Sequence, residues 1–326
     1  MMTPNRNLVR IVAAFYVVLF LFSSFVLLFE FVIPHGGYYV EDPVITTTTT
    51  TITSNTDTTI SGDQTGETTT SASPLSYPGE VPSVLATGDL LDIYENGNAL
   101  ISLYHIRAHN SDVYVADVVV TSPYEILAGL AYNIFGGTNY VQAVSTMAEN
   151  HDAIFAINSD YASHYETGLV IRNGQILRST ISYRTFVALM DDGTVSILPE
   201  SSTTAQSMLD QGAWQLWSFG PALIVDNVSV ADVNDGLDRD RVNNPRSAFG
   251  YVGPNHFMFV CVDGRTTESH GVDIEELAEI MGLLNCSQAY NFDGGGSATM
   301  YFNGEIVNHP SEGTERLVGD CVYIRA

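Results

Sequence analysis

The chain of 326 residues contains no lysine: its twelve cations are all arginine, set against 37 acidic residues for a net charge of −25. Nucleic-acid binding is therefore excluded as a function, because neutralising phosphates needs clustered cations. The same imbalance disfavours attraction to an anionic membrane surface. Arginine suits paired contacts to phosphate or carboxylate, but a chain-wide lack of lysine reflects composition bias, so only arginines inside motifs bear on function. Cysteine is equally sparse. Cys261, Cys286 and Cys321 have neither C-x-x-C nor metal-ligand spacing, and an odd number leaves at least one unpaired. Cys261 and Cys321 fall in apolar runs and read as small buried hydrophobes; the sequence leaves one disulfide open. What is plentiful is apolar mass, 45% of residues, enough for a sizeable core in one large domain or two small ones.

One apolar run is long. Ile11 to Phe29 carries no charge, close to the ~20 residues that span a bilayer as a helix. Arg6 and Arg10 precede it, and Glu30, Glu41 and Asp42 follow, an asymmetry that places the N-terminus in the cytoplasm and the remainder outside. The expectation is an uncleaved anchor within residues 1–35, with membrane contact through residues 11–33. The rival is a cleaved signal peptide, which lacks a clear small-x-small cleavage site here. Residues 46–73 hold 18 Ser or Thr out of 28. Such a stretch has too little apolar surface to offset its ordering entropy, so residues 36–85 are expected to form a disordered stalk holding the rest away from the membrane.

From residue 86 to 326 the pattern is folded and strand-rich. Apolar alternation in ISLYHIRA (101–108) and VYVADVVV (113–120) predicts antiparallel strands. Asn173-Gly174, Asp192-Gly193 and Asn303-Gly304 each sit between apolar runs and predict hairpins, because these pairs tolerate positive φ. RSAFGYV and HFMFVCVDG predict a further pair turning at Gly253-Pro254-Asn255. Helices are expected over residues 139–150 and from Asp273, where Glu276 completes a capping-box pattern. The fold class is α+β: a single domain with mixed, mainly antiparallel sheets joined by hairpins and few helices, behind an N-terminal transmembrane helix.

Polar residues gather at the ends of apolar strands. Asn158-Ser-Asp160-Tyr161 follows AIFAI, Asn244-Pro-Arg246-Ser247 precedes AFGYV, and Asp263-Gly-Arg265 follows FMFVCV, with Ser269-His270-Gly271 beyond it. Asn308-His-Pro-Ser311 leads to Glu315-Arg316, and NFDGGGSATM spans residues 291–300. Each alone fits an ordinary turn; together they suggest one rim built from adjacent strand ends. The triple glycine is not a Walker A loop, which needs G-K-[ST]. Nor is it a dinucleotide fingerprint, because strand-like residues follow where a helix should open. A loop open to a ligand remains, its backbone N–H groups able to form an anion nest, with a glycine-rich bend as the bland alternative. Asp293 beside it is a candidate acid, base or nucleophile.

NFDGGGSATMYFNGEIVNHPSEGTERLVGD, with AINSDY, NNPRSAFG and VDGR-x-x-x-SHG upstream in order, resembles the phosphodiester glycosidase family over roughly residues 90–326. The resemblance implies hydrolysis of a sugar-1-phosphate diester at the anomeric carbon. Its oxocarbenium-like transition state needs a carboxylate, for which Asp293 ranks first and Asp263 second, ahead of Asp160 and Glu315. Growing phosphate charge calls for arginines, here Arg246, Arg265 and Arg316. Asn158, His270, Ser297, Thr299 and Ser311 join Gly294, Gly295 and Gly296 as candidate substrate-binding residues. Two positions depart from the family, Ser159 for a usual glycine and Phe249 for a smaller or aliphatic residue, and both are expected to reshape the pocket.

No cofactor is expected. A structural calcium site is the alternative to a solvated acidic loop at DVNDGLDRD (232–240), whose spacing is one residue short of a calcium loop. Trp214 and Trp217 are expected in the core, with sugar stacking as the alternative. The expected partner is a glycan or sugar-phosphate of the cell envelope, such as an exopolysaccharide. The competing functions are a non-catalytic envelope glycan binder and a phosphodiesterase that cleaves P–O.

Overall fold

The computed structural model describes residues 15–26, 36–43, 75, 77–137, 140–232 and 240–326. Among them every strand pairing is antiparallel, so the mixed component expected from the sequence is absent there. An eight-stranded sheet runs in the order Val228–Ser229, Ala222–Val225, Gln288–Asn291, Arg246–Gly253, His256–Val262, Ser111–Val120, Ala99–Ala108 and Asp89–Glu95. A second sheet contains Glu305–Ile306, Met300–Phe302, Ala153–Asn158, Asp320–Arg325 and Leu127–Leu130. A third contains Val195–Pro199, Thr185–Met190, Ala213–Trp217, Val170–Arg172 and Gln175–Arg178.

The strand His256–Val262 shows why this sequence gives layers. Side chains alternate across a sheet: Phe257, Phe259 and Cys261 enter the core shared with Phe155, Trp217 and Phe292. Met258, Val260 and Val262 instead pack beneath the helix Ile274–Leu283. With both faces covered, the strand reads as one unbroken apolar run. The helix Val144–Asn150 covers the second sheet and Ala205–Asp210 the third.

The three expected hairpins form, with positive φ at Asn173, Gly174, Gly193, Asn303 and Gly304. The pair Arg246–Gly253 and His256–Val262 turns where expected. Asp273 and Glu276 make both bonds of the capping box. The helix expected over 139–150 starts later, at Val144, because Gln142 is drawn into an antiparallel bridge with Val318. Trp217 is fully buried and Trp214 donates to the Ile126 carbonyl at 2.8 Å, so both serve the core. Phe249 packs among Trp217, Phe257, Phe259 and Phe292, so it belongs to the core and does not shape the pocket as expected. The three cysteines are free and buried.

Residues 15–26 are helical and exposed, and among the described residues no helix is long and apolar enough to cross a membrane. The flanks of the expected span, 11–14 and 27–33, lie outside the described residues, as do 46–73 of the expected stalk. Both ends of that stalk region belong to the folded unit. Tyr38–Tyr39 pairs with Ile134–Phe135, and the Val40 N–H donates to the Asn133 carbonyl at 2.7 Å. On the far side, Tyr77 donates to Asp117 at 2.8 Å and Ser83–Ala86 forms a short helix.

Candidate active site

Three strand ends of the large sheet meet at one rim. Arg246 opens its strand opposite Val262, and Ala248 of the same strand pairs with Asn291, where the next strand ends. The second sheet brings Asn158 to the same place at the end of Ala153–Asn158. Between the sheets, the Ser247 hydroxyl donates to Asn158 Oδ1 at 2.7 Å. Asn158 Oδ1 also accepts the Thr299 N–H at 3.1 Å, and its Nδ2 donates to the Asp293 carbonyl at 2.6 Å. One buried amide thus holds both ends of the glycine loop.

The loop lies in a cleft of about 150 Å³ lined by Asp293, Gly294, Gly295, Arg246, Arg265 and Arg316, with Phe219, Asp240, Asn244 and Asn291 completing the wall. Three of the chain's twelve cations converge here, facing two carboxylates. The glycines are explained by what touches them. A Cβ on Gly294 would stand 2.6 Å from the Pro245 carbonyl oxygen, and one on Gly295 2.9 Å from Arg265 Nη2. On Gly296 it would stand 2.4 Å from both Arg316 Nη2 and Glu312 Oε1. The missing side chains admit guanidinium groups to the loop.

Each arginine is held by acceptors. Arg246 is buried and donates to the carbonyls of Val272 and Val242, both at 3.0 Å. Arg265 donates from Nε and Nη2 to Asn244 Oδ1, both at 3.2 Å, and Arg316 pairs with Glu312. Fixed guanidiniums of this kind bind phosphate oxygens with little further ordering. Tyr161 stands near Asp293 and Arg316: burial raises its hydroxyl pKa, the Asp293 charge adds to that, and Arg316 opposes it. Its ring stacks on His164 at 4.0 Å and meets Tyr165 edge-on at 5.5 Å.

Several candidates from the sequence sit outside this cleft. Asp160 is buried in an ion pair with Arg172 and accepts the Ser218 N–H at 2.8 Å. Arg172 also binds Asp320 at 2.9 Å, so this carboxylate pair neutralises a buried guanidinium. Glu315 accepts the N–H of Ser145 at 3.0 Å and also its hydroxyl, which fixes the start of the helix Val144–Asn150. Asp263, 3% exposed, accepts the His309 N–H at 2.9 Å and Asn308 Nδ2 at 3.1 Å. Burial raises its pKa, against those opposing hydrogen bonds. It anchors the loop leading to Arg316. His270 is exposed, and its carbonyl accepts the Arg265 N–H at 3.2 Å. The hydroxyls of Ser297, Thr299 and Ser311 are buried, with no hydrogen-bond partner among the described residues. Ser159 contributes its carbonyl to the Asp293 N–H at 3.1 Å.

Asn244 and Asn291 lay within motifs already singled out, whereas Phe219 carried no sequence signal. Among the described residues no group of three or more His, Cys, Asp or Glu could hold a metal ion. Residues 233–239 of the acidic loop lie outside them.

A family model described as phosphodiester glycosidase matches residues 151–325. The SPbeta prophage-derived uncharacterized protein YomE of Bacillus subtilis (strain 168) is 30% identical over 197 residues, covering 58% of this chain and 30% of that protein. N-acetylglucosamine-1-phosphodiester alpha-N-acetylglucosaminidase is 37% identical in Bos taurus and 35% in Homo sapiens over 80 residues, 24% of this chain. The chain spans 15% of the length of those two enzymes. Among solved structures, the catalytic domain of the zebrafish enzyme of that name, auto-inhibited by its pro-peptide, aligns with a TM-score of 0.55 at 20% identity. It covers 76% of this chain and 87% of that one. A hypothetical protein from Synechocystis aligns with a TM-score of 0.55 at 13% identity, covering 70% and 62%.

Proposed function

The chain belongs to the phosphodiester glycosidase family, and on that premise we propose that it hydrolyses a sugar-1-phosphate diester in a phosphate-linked glycan of the cell envelope. The observation that carries this is the placing of Asp293 beside Arg246, Arg265 and Arg316 across a glycine loop. The arginines receive the phosphate and stabilise the charge that grows on it as the anomeric C–O bond breaks. Phosphate is a good leaving group, so protonating it matters less than neutralising it. Asp293 acts at the anomeric carbon, as nucleophile or as base for water. Asn158 fixes the Asp293 backbone. Asp160, Asp263 and Glu315 serve the frame of the site, each through the partners described above.

The domain works outside the cytoplasm, held by an anchor within residues 11–33. The charge-free run from Ile11 to Phe29 and the arginines before it support that placement.

Asp293→Asn tests the chemistry. The expected result is a fall in kcat of at least ~100-fold on a sugar-1-phosphate diester, in the range of a lost catalytic acid–base group. An unchanged rate would remove Asp293 from catalysis. Hydrolysis in ¹⁸O-water should put the label in the sugar; label in the phosphate would mean P–O cleavage instead.

A further inference from the structure

The Thr/Ser-rich stretch does not separate the apolar run from the folded domain. The charge-free run ends at Phe29, and only residues 30–35 stand before Gly36. Gly37 and Tyr38 already line a cavity of the domain, and Tyr38–Tyr39 is paired with Ile134–Phe135. The Tyr38 hydroxyl donates to the Leu177 carbonyl at 2.6 Å, and Asp42 faces His151 at 3.6 Å. The chain re-enters the fold by Leu75, whose N–H donates to Glu95 at 3.0 Å, and by Tyr77 on Asp117. Residues 46–73 therefore join two points on one domain. The run and the domain are separated by six residues, which fully extended span at most roughly 20 Å, far less than the 28 residues of 46–73 would allow.

The domain carries exposed aromatic and aliphatic side chains on the docked strand, beside its partner and in a neighbouring loop. Tyr39 is 66% exposed on the docked strand, and Tyr132, beside its partner strand, is 57% exposed. Ile181 and Tyr183, in the loop that follows Arg178, are 50% and 109% exposed. Tyrosine with a neighbouring aliphatic side chain is what favours the bilayer interface. Their chain neighbours reach a second cavity of about 630 Å³: Tyr38, Phe135 and Arg178 line it with His164 and Tyr165, and Arg184 lies over the Tyr165 ring. That cavity adjoins the active-site cleft, because Tyr165 meets Phe219 of the cleft wall at 6.5 Å between ring centroids.

We infer that the domain rides directly on the outer surface of the bilayer, with Tyr39, Tyr132, Ile181 and Tyr183 against the lipid, and takes a sugar phosphate whose alcohol is a membrane-held lipid. The second cavity receives the substrate from the lipid side, and the cleft receives its phosphate. The inference rests on the anchor and on the glycosidase function proposed above. Because the chain is strongly acidic, the contact is apolar and aromatic, and suits a zwitterionic surface.

The test uses the full chain in phosphatidylcholine vesicles. Tyr183→Cys carries an environment-sensitive fluorophore, with Leu91→Cys, on the edge strand of the large sheet, as the control; the native cysteines are buried. The Tyr183 label should shift to the blue relative to the Leu91 label, and a water-like spectrum at both would overturn the docking.

The second arm compares two sugar-1-phosphate diesters, one of methanol in solution and one of diacylglycerol in the same vesicles. A spacer of about 40 Gly/Ser residues inserted after His35, combined with Tyr39→Asp and Tyr183→Asp, should cut hydrolysis of the lipid diester at least ten-fold. The methyl diester should be hydrolysed as before. Equal rates on the lipid diester would overturn the inference. If the unaltered chain hydrolyses neither diester, the glycosidase function and the lipid substrate both fall, and the fluorophore still decides whether the domain docks.

Discussion

Asn158→Ala tests whether the glycine loop is positioned by a single buried amide. Asn158 is 1% exposed and makes three side-chain hydrogen bonds, to the Asp293 carbonyl, the Thr299 N–H and the Ser247 hydroxyl. Alanine strands all three partners. The Ser247 hydroxyl can rotate to another acceptor, but the two backbone groups cannot. An unpaired buried polar group costs about 1–3 kcal/mol, so the expected loss for the two backbone groups is about 2–6 kcal/mol. A domain of this kind has about 5–15 kcal/mol in total, so the variant should still fold. Urea unfolding should show a lower midpoint with an unchanged slope. The rate should fall through kcat more than through KM, because the arginines stay while Asp293 loses its tether. Asn158→Asp keeps the two acceptor positions but buries a carboxylate oxygen against the Asp293 carbonyl, which adds desolvation and repulsion. It should lose at least as much stability as alanine does and show the same kcat defect. A stability loss below about 1 kcal/mol for Asn158→Ala, or a wild-type kcat for both variants, would refute the argument.

Two further outcomes follow from the same geometry. Gly296→Ala places a Cβ against the side-chain ends of Arg316 and Glu312, which must shift away from the loop; stability should change by less than about 1 kcal/mol, while KM for a phosphodiester rises ~10-fold or more as one charge-assisted bond is lost. Wild-type KM would show that Arg316 does not meet the substrate. The Asp320 carboxyl, buried beside Asp160, has its pKa pushed up to about 7. Its protonated form is therefore favoured by folding, and that stabilisation is present below about pH 4 and lost as pH rises through about 7. Relative to Asp320→Asn, the wild-type protein should lose stability across that window in pH-resolved urea titrations. A constant difference between the two would contradict it.

How much was legible depended on how local the cause was. Asn173-Gly174 and Asn303-Gly304 announce their hairpins because positive φ is a property of those residues themselves. The capping box at Asp273 closes within four residues, and it too was readable. The carboxylates were less so. Glu315 reads like a catalytic acid beside Arg316, but its partner is Ser145, 170 positions away in sequence. Asp160 looks available at a strand end until Arg172 and Ser218 fold around it. The docking of Tyr38–Tyr39 on Ile134–Phe135 had no sequence signal, because a two-residue strand is specified by its partner.

The sequence by itself determined the antiparallel, hairpin-built domain, the motifs that meet at one rim and the family, since apolar alternation, turn chemistry and motif order are written along the chain. The tertiary structure alone decided that Asp293 faces the arginines while Asp160, Asp263 and Glu315 hold the frame. It also decided that the Thr/Ser-rich stretch begins and ends on the same domain. The physical reason is the same in each case: a buried polar group is defined by the partner that satisfies it, and only the fold chooses that partner.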